Sequence, residues 1–306
     1  MVDLVIPVYK PRQEFLKLLT MIQKQTSPIH KIIIMNTEKK YWDEFVEQYK
    51  EVTMYDNLEV HHISQKEFDH GNTRNQGISY SKEEYILLMT QDAIPNNEFL
   101  IEQLLKSFEN EKLILAYARQ LPRQECREAE KYTRTFNYPE ESVVKSEADI
   151  ETMGIKAFFC SDVCAMYKRE EFLKLGGFIK KTIFNEDAIF AGKAIKKGYR
   201  IAYNAKAEVI HSHNYSNMEQ FRRNFDLGVS QKQNSEVFEG IKSESEGIKL
   251  VKKTIAHLWK NGHKMQILPM IIQSGFKFLG YKFGKNYNKL PKSFVIKCSM
   301  NKSYWQ

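Results

Sequence analysis

An acidic pair, Glu186 and Asp187, follows Asn185 where an apolar run ending at Phe184 gives way to a helical pattern over residues 188–197. Carboxylates in the first turn of a helix lie near unpaired backbone N–H groups and the positive end of the helix dipole, which keeps them ionised. An ionised carboxylate of this kind can accept a proton. Acids are also common in ordinary first turns, so the other residues of the chain must decide between the two interpretations.

Three further residues offer ligands for a metal ion. Asp92 follows an apolar strand pattern and precedes a turn at Pro95, so its carboxylate is expected to project from a sheet edge. A hard divalent cation takes such oxygen ligands, often only one or two from the protein. His211 and His213 end another strand pattern two residues apart, which places both imidazoles on one face. The alternatives are a turn-forming aspartate and a pair of surface histidines.

The ends of the first two strand patterns carry groups that suit a pyrimidine base. Pro7 and Tyr9 close the first pattern, and Asn36 closes the second. An aromatic ring can stack on a base, and an amide oxygen can accept a hydrogen bond from a base N–H. A plain turn would contain the same residues, so both interpretations stay open.

The stretch 68–77, Phe-Asp-His-Gly-Asn-Thr-Arg-Asn-Gln-Gly, places a glycine and an arginine at a helix start. Backbone N–H groups and positive charge converge on an anion there, so Arg74 is predicted to contact a phosphate. The stretch matches neither the Walker A pattern nor the spaced glycines of dinucleotide binders. The alternative is that Arg74 pairs with Asp92 or Asp69 and stabilises the sheet edge.

The elements that must position these residues alternate along the chain. Strands are predicted at 2–8, 30–35, 58–63, 84–89, 113–119, 157–167 and 200–210, and helices at 14–25, 42–49, 73–79, 97–108, 169–175 and 188–197. Such alternation indicates parallel strands joined by helical crossovers, with ligands bound at the carboxyl ends of the strands. Residues 120–153 are polar and are predicted to form a long functional or mobile loop.

The net charge of +8 is concentrated at the end of the 306-residue chain. Residues 241–306 contain 13 lysines, no arginine and two acids, so this tail carries +11 and residues 1–240 carry −3. A basic tail interleaved with aromatic side chains favours an anionic membrane surface as partner and argues against nucleic acid. The apolar run 265–283 is interrupted by Pro269 and polar residues, so it falls short of a spanning helix. The alternative is a helical pair packed on the catalytic domain or across a homodimer.

The cysteines and the N-terminus indicate the compartment. The four cysteines form neither a C-x-x-C pair nor a short disulfide framework, which fits a reducing environment. Met1 leads directly into a strand pattern, with no basic segment followed by an apolar one, so no signal peptide is expected. A cytoplasmic protein is predicted, with the tail placing it peripherally at the inner face of the plasma membrane.

Taken in order along the chain, these motifs resemble glycosyltransferase family 2, the inverting nucleotide-sugar transferases with a GT-A fold. The family-wide motifs are Val5-Ile6-Pro7-Val8-Tyr9, Gly71-x-x-Arg74-Asn75-x-Gly77, an acid ending the fourth strand, Gly176-Gly177-Phe178, Asn185-Glu186-Asp187 and Ala207-Glu208-Val209-Ile210-His211. Within the family, the chain looks most like rhamnosyltransferases that use dTDP-L-rhamnose to build bacterial surface polysaccharides. The strings that carry this likeness are residues 68–75, 90–93 (Thr-Gln-Asp-Ala), 136–139 (Phe-Asn-Tyr-Pro), 159–164 and 211–215.

The resemblance implies an α/β fold, a GT-A domain with a Rossmann-like mixed, mostly parallel sheet flanked by helices, and a C-terminal helical appendage. Residues 1–215 would form the catalytic domain, with a nucleotide-binding half at 1–92 and an acceptor-binding half at 93–215. Residues 216–306 would form the basic helical region. The reaction implied is inverting transfer of a sugar, L-rhamnose from dTDP-L-rhamnose, to a hydroxyl of a growing surface polysaccharide or a polyprenol-linked oligosaccharide.

The resemblance also implies roles for individual residues. Asp187 would be the general base, with Glu186 supporting it or binding the acceptor, and Asp162 is a further acceptor-binding candidate with a structural cap as its alternative. A divalent cation, Mg²⁺ or Mn²⁺, would be held by Asp92, His211 and His213. The donor contacts implied are Pro7, Tyr9, Asn36, His70, Gly71, Arg74, Gln91, Asp92, Arg222 and Arg223, the last two either clamping the diphosphate or lying on a solvated helix face.

Two positions depart from the family pattern. The Asp-x-Asp metal motif appears as Thr90-Gln91-Asp92, so one acid of the pair is missing, and position 36, often an acid that contacts the base, is asparagine. The reduced motif leaves two alternatives to a rhamnosyltransferase: an inactive nucleotide-sugar-binding scaffold and a family 2 enzyme with a UDP-sugar donor. Nucleotidyl transfer is disfavoured because no glycine-rich, basic phosphate loop follows the first strand.

Overall fold

The computed structural model describes residues 1–109, 112–240 and 244–305, and the side chains of 244–246, with the tail acids Glu244 and Glu246, lie outside that description. The strands are β1 (Val2–Tyr9), β2 (Lys31–Thr37), β3 (Leu58–Ile63), β4 (Tyr85–Met89), β5 (Ile94–Pro95), β6 (Leu113–Leu121), β7 (Val143–Lys145), β8 (Cys164–Lys168) and β9 (Arg200–Ile210). The helices are α1 (Gln13–Gln23), α2 (Lys39–Gln48), α3 (His70–Ser79), α4 (Leu100–Lys106), α5 (Glu128–Asn137), α6 (Ile150–Met153), α7 (Arg169–Lys174), α8 (Glu186–Lys196), α9 (Asn217–Gln233), α10 (Ser235–Phe238), α11 (Glu244–Lys260), α12 (Ile267–Lys285) and α13 (Lys292–Cys298).

These strands form one mixed sheet in the order β3-β2-β1-β4-β8-β6-β9-β5, with β7 paired to β9. The four strands at one side, β3, β2, β1 and β4, are parallel. β8 is antiparallel to both β4 and β6, whereas β6 and β9 run parallel. The carboxyl ends of β1, β2, β4 and β9 therefore carry the polar residues singled out in the sequence, and the expected α/β architecture is confirmed.

The sheet is buried on both faces, which explains the unbroken apolar runs of its central strands. Alternate residues of β1 enter opposite layers: Leu4 and Ile6 pack with α1, α2 and α4, whereas Val5 packs with α3, α7 and α8. Because a strand places successive side chains on opposite faces, one apolar strand serves both layers.

Two predicted elements differ from the structure. Residues 120–153 are not one long loop, since α5, β7 and α6 lie within them. α5 is mainly polar, with three apolar or aromatic residues in ten and none fully buried, and an ion pair between Arg134 and Glu130 supports it. The strand predicted at 157–167 is shorter: Gly154–Phe158 is a 3-10 helix, and β8 begins only at Cys164. Burial of Ala157 and Phe158 explains the apolar run without strand pairing.

The C-terminal region contains the predicted helices, and α12 packs tightly on α9. A side chain at Gly280 would place its Cβ 2.1 Å from the backbone oxygen of Phe221, and one at Gly284 would lie 2.1 Å from that of Phe225. Only glycine permits the two helix backbones to approach this closely. α11 contacts α5 through stacked rings of His257 and Tyr132. In the described chain, every helix is too short or too polar to span a bilayer.

Candidate active site

Arg74 forms the centre of a buried charge cluster at the start of α8. Its guanidinium donates a hydrogen bond to Glu186 at 2.9 Å and lies 3.4 Å from the carboxylate of Asp162. The side chain is only 6 % exposed. The sequence-based alternative that Arg74 pairs with Asp92 or Asp69 is therefore wrong, because its partners are acids that lie far away in the sequence.

The rest of the 68–77 stretch holds the loop that leads into α8. Asp69 accepts a hydrogen bond from the backbone N–H of Thr182 at 3.0 Å. Asn75 exchanges two hydrogen bonds with the backbone of Phe178, at 2.9 and 3.0 Å. A Cβ at Gly71 would meet a backbone oxygen of the same loop at 2.3 Å. These contacts fix the position of the acid-bearing loop relative to the sheet.

Asp187 is half-buried and faces the space beside this cluster. The preceding Asn185 adopts a left-handed conformation with φ 70°, which ends the loop and begins α8. One oxygen of Asp187 accepts from the N–H of Ala188 at 2.7 Å and the other from the N–H of Asp162 at 3.2 Å. Burial and the neighbouring Glu186 raise the pKa of Asp187 to about 6, while the two backbone donors oppose that rise. Such a carboxylate is ionised at neutral pH and more basic than an ordinary aspartate.

Asp162 and His70 complete the cluster. Asp162 accepts a hydrogen bond from the hydroxyl of Tyr167 at 2.6 Å, and burial raises the pKa of Asp162 well above its usual range. The backbone oxygen of His70 accepts from Arg74 at 2.9 Å. Burial lowers the pKa of the His70 imidazole. Both side chains thus favour their neutral forms beside the Arg74–Glu186 pair.

Asp92, His211 and His213 come together as the sequence predicted. Their ligand atoms all lie within 4.8 Å of one another. The Nε2 atom of His213 is 3.2 Å from Asp92 Oδ2 and 3.1 Å from His211 Nε2. Burial lowers the pKa of both imidazoles, and neutral imidazole is the form that binds a metal. His211 Nδ1 lies 3.0 Å from Gln120 Oε1, so a proton on Nδ1 leaves Nε2 free for an ion.

Three arginines surround this triad. Arg123 donates to the backbone oxygen of Asp92 at 3.4 Å, and Arg134 donates to Gln120. The Arg223 guanidinium lies over the rings of Phe184 and Tyr215, at 4.6 and 5.6 Å. Their positive charges all lower the pKa of His213, which places them close to the triad. Such a ring of cations favours an anionic ligand.

Sequence reasoning identified Arg223 in this group but missed Arg123 and Arg134, which fall in the region predicted to be a loop. The string Phe-Asn-Tyr-Pro at 136–139, directly after Arg134, was the available signal. Arg222, the expected second half of a clamp, does not accompany Arg223. Successive helix residues point about 100° apart, and Arg222 lines a separate cavity with Lys297 and Lys302.

The predicted base-binding groups lie at the ends of β1, β2 and β4. Gln91 bridges two of these strands, accepting from the N–H of Tyr9 at 2.9 Å and donating to its carbonyl at 3.0 Å. The exposed Tyr9 ring meets Tyr41 edge-on at 5.4 Å. Half-buried Pro7 lies within β1. Asn36 is fully buried, and its amide oxygen is without a hydrogen-bond partner in the described residues.

Hydrogen bonds connect the triad with the acid cluster. Gln120, which holds His211, also donates to the hydroxyl of Ser161 at 2.9 Å. The next residue, Asp162, contacts both Asp187 and Arg74. The predicted catalytic and metal-ligating groups therefore belong to one connected site at the carboxyl edge of the sheet. Arg223 lies beside this site, whereas Arg222 lines a separate cavity.

Comparison with known proteins places this site in a family. Residues 3–176 match the model of glycosyl transferase family 2. The O-antigen chain rhamnosyltransferase RfbN of Salmonella typhimurium is 37% identical over 308 residues, covering 99% of this chain and 96% of that protein. The O-antigen chain rhamnosyltransferase WbaN of Salmonella anatum is 40% identical over 247 residues, covering 79% and 78%.

Solved structures show the same fold at low sequence identity. A mannosyltransferase from Pyrobaculum calidifontis, in complex with GDP-Man and Mn²⁺, has a TM-score of 0.59 and 13% identity, covering 98% of this chain and 86% of its own. The S. aureus protein TarS, residues 1–349, has a TM-score of 0.55 and 15% identity, covering 99% and 84%. The GT-A architecture expected from the sequence is confirmed. The matched family model and the relatives at 37% and 40% identity show that the chain belongs to glycosyl transferase family 2 and is a glycosyltransferase.

Proposed function

We propose that this enzyme transfers L-rhamnose from dTDP-L-rhamnose to a hydroxyl of a growing bacterial surface polysaccharide, with inversion at the sugar carbon. The relatives at 37% and 40% identity are both O-antigen chain rhamnosyltransferases, which supports both the sugar and the polysaccharide acceptor. The observation that carries the chemistry is the connected site, in which a basic carboxylate, Asp187, is linked through Gln120 to a triad surrounded by arginines.

In this mechanism the acceptor hydroxyl gives its proton to Asp187 while its oxygen attacks the anomeric carbon of the donor. The bond from that carbon to the diphosphate oxygen breaks on the opposite face, so one displacement inverts the centre. Asp187 is suited to this step because its pKa of about 6 keeps it ionised at neutral pH and near the optimum for proton transfer. The two backbone N–H groups that it accepts from hold its orientation.

The leaving nucleoside diphosphate gathers negative charge, which Arg123, Arg134 and Arg223 are placed to stabilise. A divalent cation held by Asp92, His211 and His213 would neutralise part of the same charge when bound. Two of the three ligands are imidazole nitrogens, whereas Mg²⁺ prefers oxygen. We therefore propose that Mn²⁺ suits this triad better than Mg²⁺.

We assign Arg74 and Glu186 to positioning the base and not to contact with the donor. The buried guanidinium of Arg74 is already paired with Glu186 at 2.9 Å, so it has little capacity left to bind a phosphate. Tyr9, Gln91 and Asn36 are proposed to form the base-binding end. Because Asn36 is fully buried, we assign it to holding this strand end from inside, where its amide group donates to the backbone oxygen of Glu38 at 3.1 Å, and we assign contact with the base to Tyr9.

A donor screen tests the function. Purified enzyme is offered dTDP-L-rhamnose, a UDP-sugar or GDP-mannose, with Mn²⁺, and nucleoside diphosphate release is followed with and without a saccharide acceptor. We expect dTDP-L-rhamnose to give both the largest thermal shift and the only acceptor-stimulated release. Faster release from the UDP-sugar would replace the donor assignment. Binding of the donor with no release under any condition would identify an inactive scaffold.

The reaction is proposed to occur at the cytoplasmic side of the membrane, where a polyprenol-linked acceptor would be available. The basic tail supports that location because positive charge attracts anionic lipid. A homodimer built by the same helices is the competing arrangement.

A further inference from the structure

A cavity of about 350 Å³ lies between α9, α13 and the C-terminal residues, away from the charge cluster described above. Three cations line it, Arg222, Lys297 and Lys302, together with the apolar side chains of Met218, Phe221 and Phe294. None of its lining residues is acidic. In the described part of the chain, no ion pair joins these cations to a carboxylate, and the buried Nε of Arg222 has no hydrogen-bond partner. Glu219, whose pKa is lowered by its hydrogen bonds with Ser216 and by Arg222, is an acid near this cavity but does not line it. Cations beside apolar walls fit an anionic amphiphile.

The outer face of α12 is apolar and exposed. Its residues are Leu268, Ile271, Ile272, Phe278, Leu279 and Phe283. Leu268, Ile271, Phe278 and Leu279 point away from Gly280 and Gly284, which pack on α9. Phe283 lies at the edge of this face and contacts Phe221 of α9. Just before α12, Met265 is 91 % exposed and Trp259 is 61 % exposed. This face of α12 also includes Gly275 and Lys282, whose ammonium lies 5.5 Å from the Phe278 ring. So many exposed apolar side chains on one face are unusual on a surface that meets only water.

The exposed face of α12 and the cavity are continuous. The ring of Phe283, at the end of the exposed face, lies 6.0 Å from Phe221 and 6.2 Å from Phe294, and both of these line the cavity. A hydrocarbon chain lying along α12 would therefore lead to the three cations. An amphipathic helix in the membrane interface would then have its apolar face in the acyl region and the three cations at the level of the lipid phosphates.

The charge of the surrounding chain distinguishes between the candidate occupants. Residues 247–306 contain 12 lysines and no acid. A second copy of this chain would bring the same positive charge to the interface, and like charges oppose such a contact. Nucleic acid would match the charge but not the exposed leucine and isoleucine side chains. An anionic bilayer matches both, since its surface attracts lysine and its interior accepts apolar side chains.

We propose that the exposed face of α12 and the Arg222–Lys297–Lys302 cavity form one surface that binds an anionic lipid bilayer, with a lipid phosphate in the cavity. This deepens the proposed function by naming the surface that brings the site to a membrane-bound acceptor. The binding itself does not depend on catalysis, so the two proposals fail separately.

Flotation of the full-length protein with vesicles tests the surface. Vesicles of phosphatidylcholine alone are compared with vesicles that also contain phosphatidylglycerol, at low and high salt. We expect flotation only with the anionic vesicles, and weaker flotation at high salt because surface charge is screened. Equal flotation with both vesicles, or none with either, would overturn the proposal.

Variants locate the binding surface. The double variant Ile271→Glu, Leu279→Glu should lose flotation. Lys297→Gln, Lys302→Gln should weaken it about thirtyfold, since each lysine near the surface contributes about a factor of five to binding. The matched control, Met54→Glu with Leu173→Glu, changes exposed apolar residues elsewhere and should float as the parent does. Donor hydrolysis in solution should be the same in all of these proteins, which shows that they are folded.

Two outcomes would assign the surface to another occupant and refute the bilayer. If a second copy of the chain covers α12, light scattering would show a dimer, and the variant Ile271→Glu, Leu279→Glu would be a monomer. If the cavity binds free phosphate only, the protein would not float with vesicles. Inorganic phosphate would then stabilise the parent but not the variant Lys297→Gln, Lys302→Gln.

Discussion

Replacement of Asp187 by asparagine removes the proposed general base with little change in the shape of the side chain. An asparagine can still accept from the N–H of Ala188, 2.7 Å from the present carboxylate, but its NH₂ group faces the N–H of Asp162 and loses that contact. Loss of one such hydrogen bond costs about 1 kcal/mol. Removing the negative charge of Asp187 also relieves its repulsion with Glu186, which offsets part of this cost. The folded state and the donor site should therefore remain.

The kinetic effect of Asp187→Asn is expected to be much larger. General-base catalysis contributes about 10² to 10⁴ in rate, which corresponds to about 3–5 kcal/mol of activation free energy. The transfer rate should fall by that factor, while the donor dissociation constant, measured by calorimetry, changes by less than about threefold, or roughly 0.6 kcal/mol.

The pH profile provides an independent check on Asp187. Because its pKa is raised to about 6, the parent should lose activity as pH falls through 6, where the carboxylate becomes protonated and cannot accept the acceptor proton. The residual activity of Asp187→Asn should lack that acidic limb. Glu170→Gln, an exposed first-turn acid of α7, is the matched control and should behave as the parent. Near-normal turnover of Asp187→Asn, or loss of its donor binding, would refute the assigned role.

Three further perturbations follow from the same contacts. Arg74→Met leaves buried acids without their cation and should lower the free energy of unfolding, measured in urea, by about 3–5 kcal/mol; an unchanged midpoint would contradict the cluster. His213→Ala should abolish the thermal shift that Mn²⁺ produces in the parent, and a shift of the parent size would remove this residue from the metal site. Gly280→Ala should destabilise the protein by about 1–3 kcal/mol because its Cβ meets the α9 backbone, whereas Gly275→Ala, with open space around it, should be neutral or stabilising by up to about 1 kcal/mol. Equal effects of the two alanines would mean that α12 does not pack as described.

The juxtaposition of the three proposed metal ligands could be predicted from sequence because it follows from strand order. Asp92, His211 and His213 each lie just beyond an apolar strand, and the ends of β4 and β9 reach the same sheet edge. The apolar pattern of the strands and the polar residues at their ends were therefore enough to predict that these three side chains lie together.

The partners of Arg74 could not be predicted in this way. Glu186 is 112 residues away in sequence, and nothing local marks the two as a pair. A helix start with glycine and arginine signals anion binding, but here the anion is a carboxylate of the same chain. The helix α5 was not predicted for a different reason: it is short and mainly polar, so its few apolar residues did not distinguish it from a loop.

The salt link between Arg74 and Glu186 joins the two predicted halves of the catalytic domain, because α3 belongs to 1–92 and α8 to 93–215. In the proposed mechanism this link would couple donor binding in the first half to the position of Asp187 in the second. Any shift of α3 on donor entry would be transmitted to the aspartate one residue beyond Glu186. Damage to this link would be measured as slow turnover, although neither partner touches the reacting atoms.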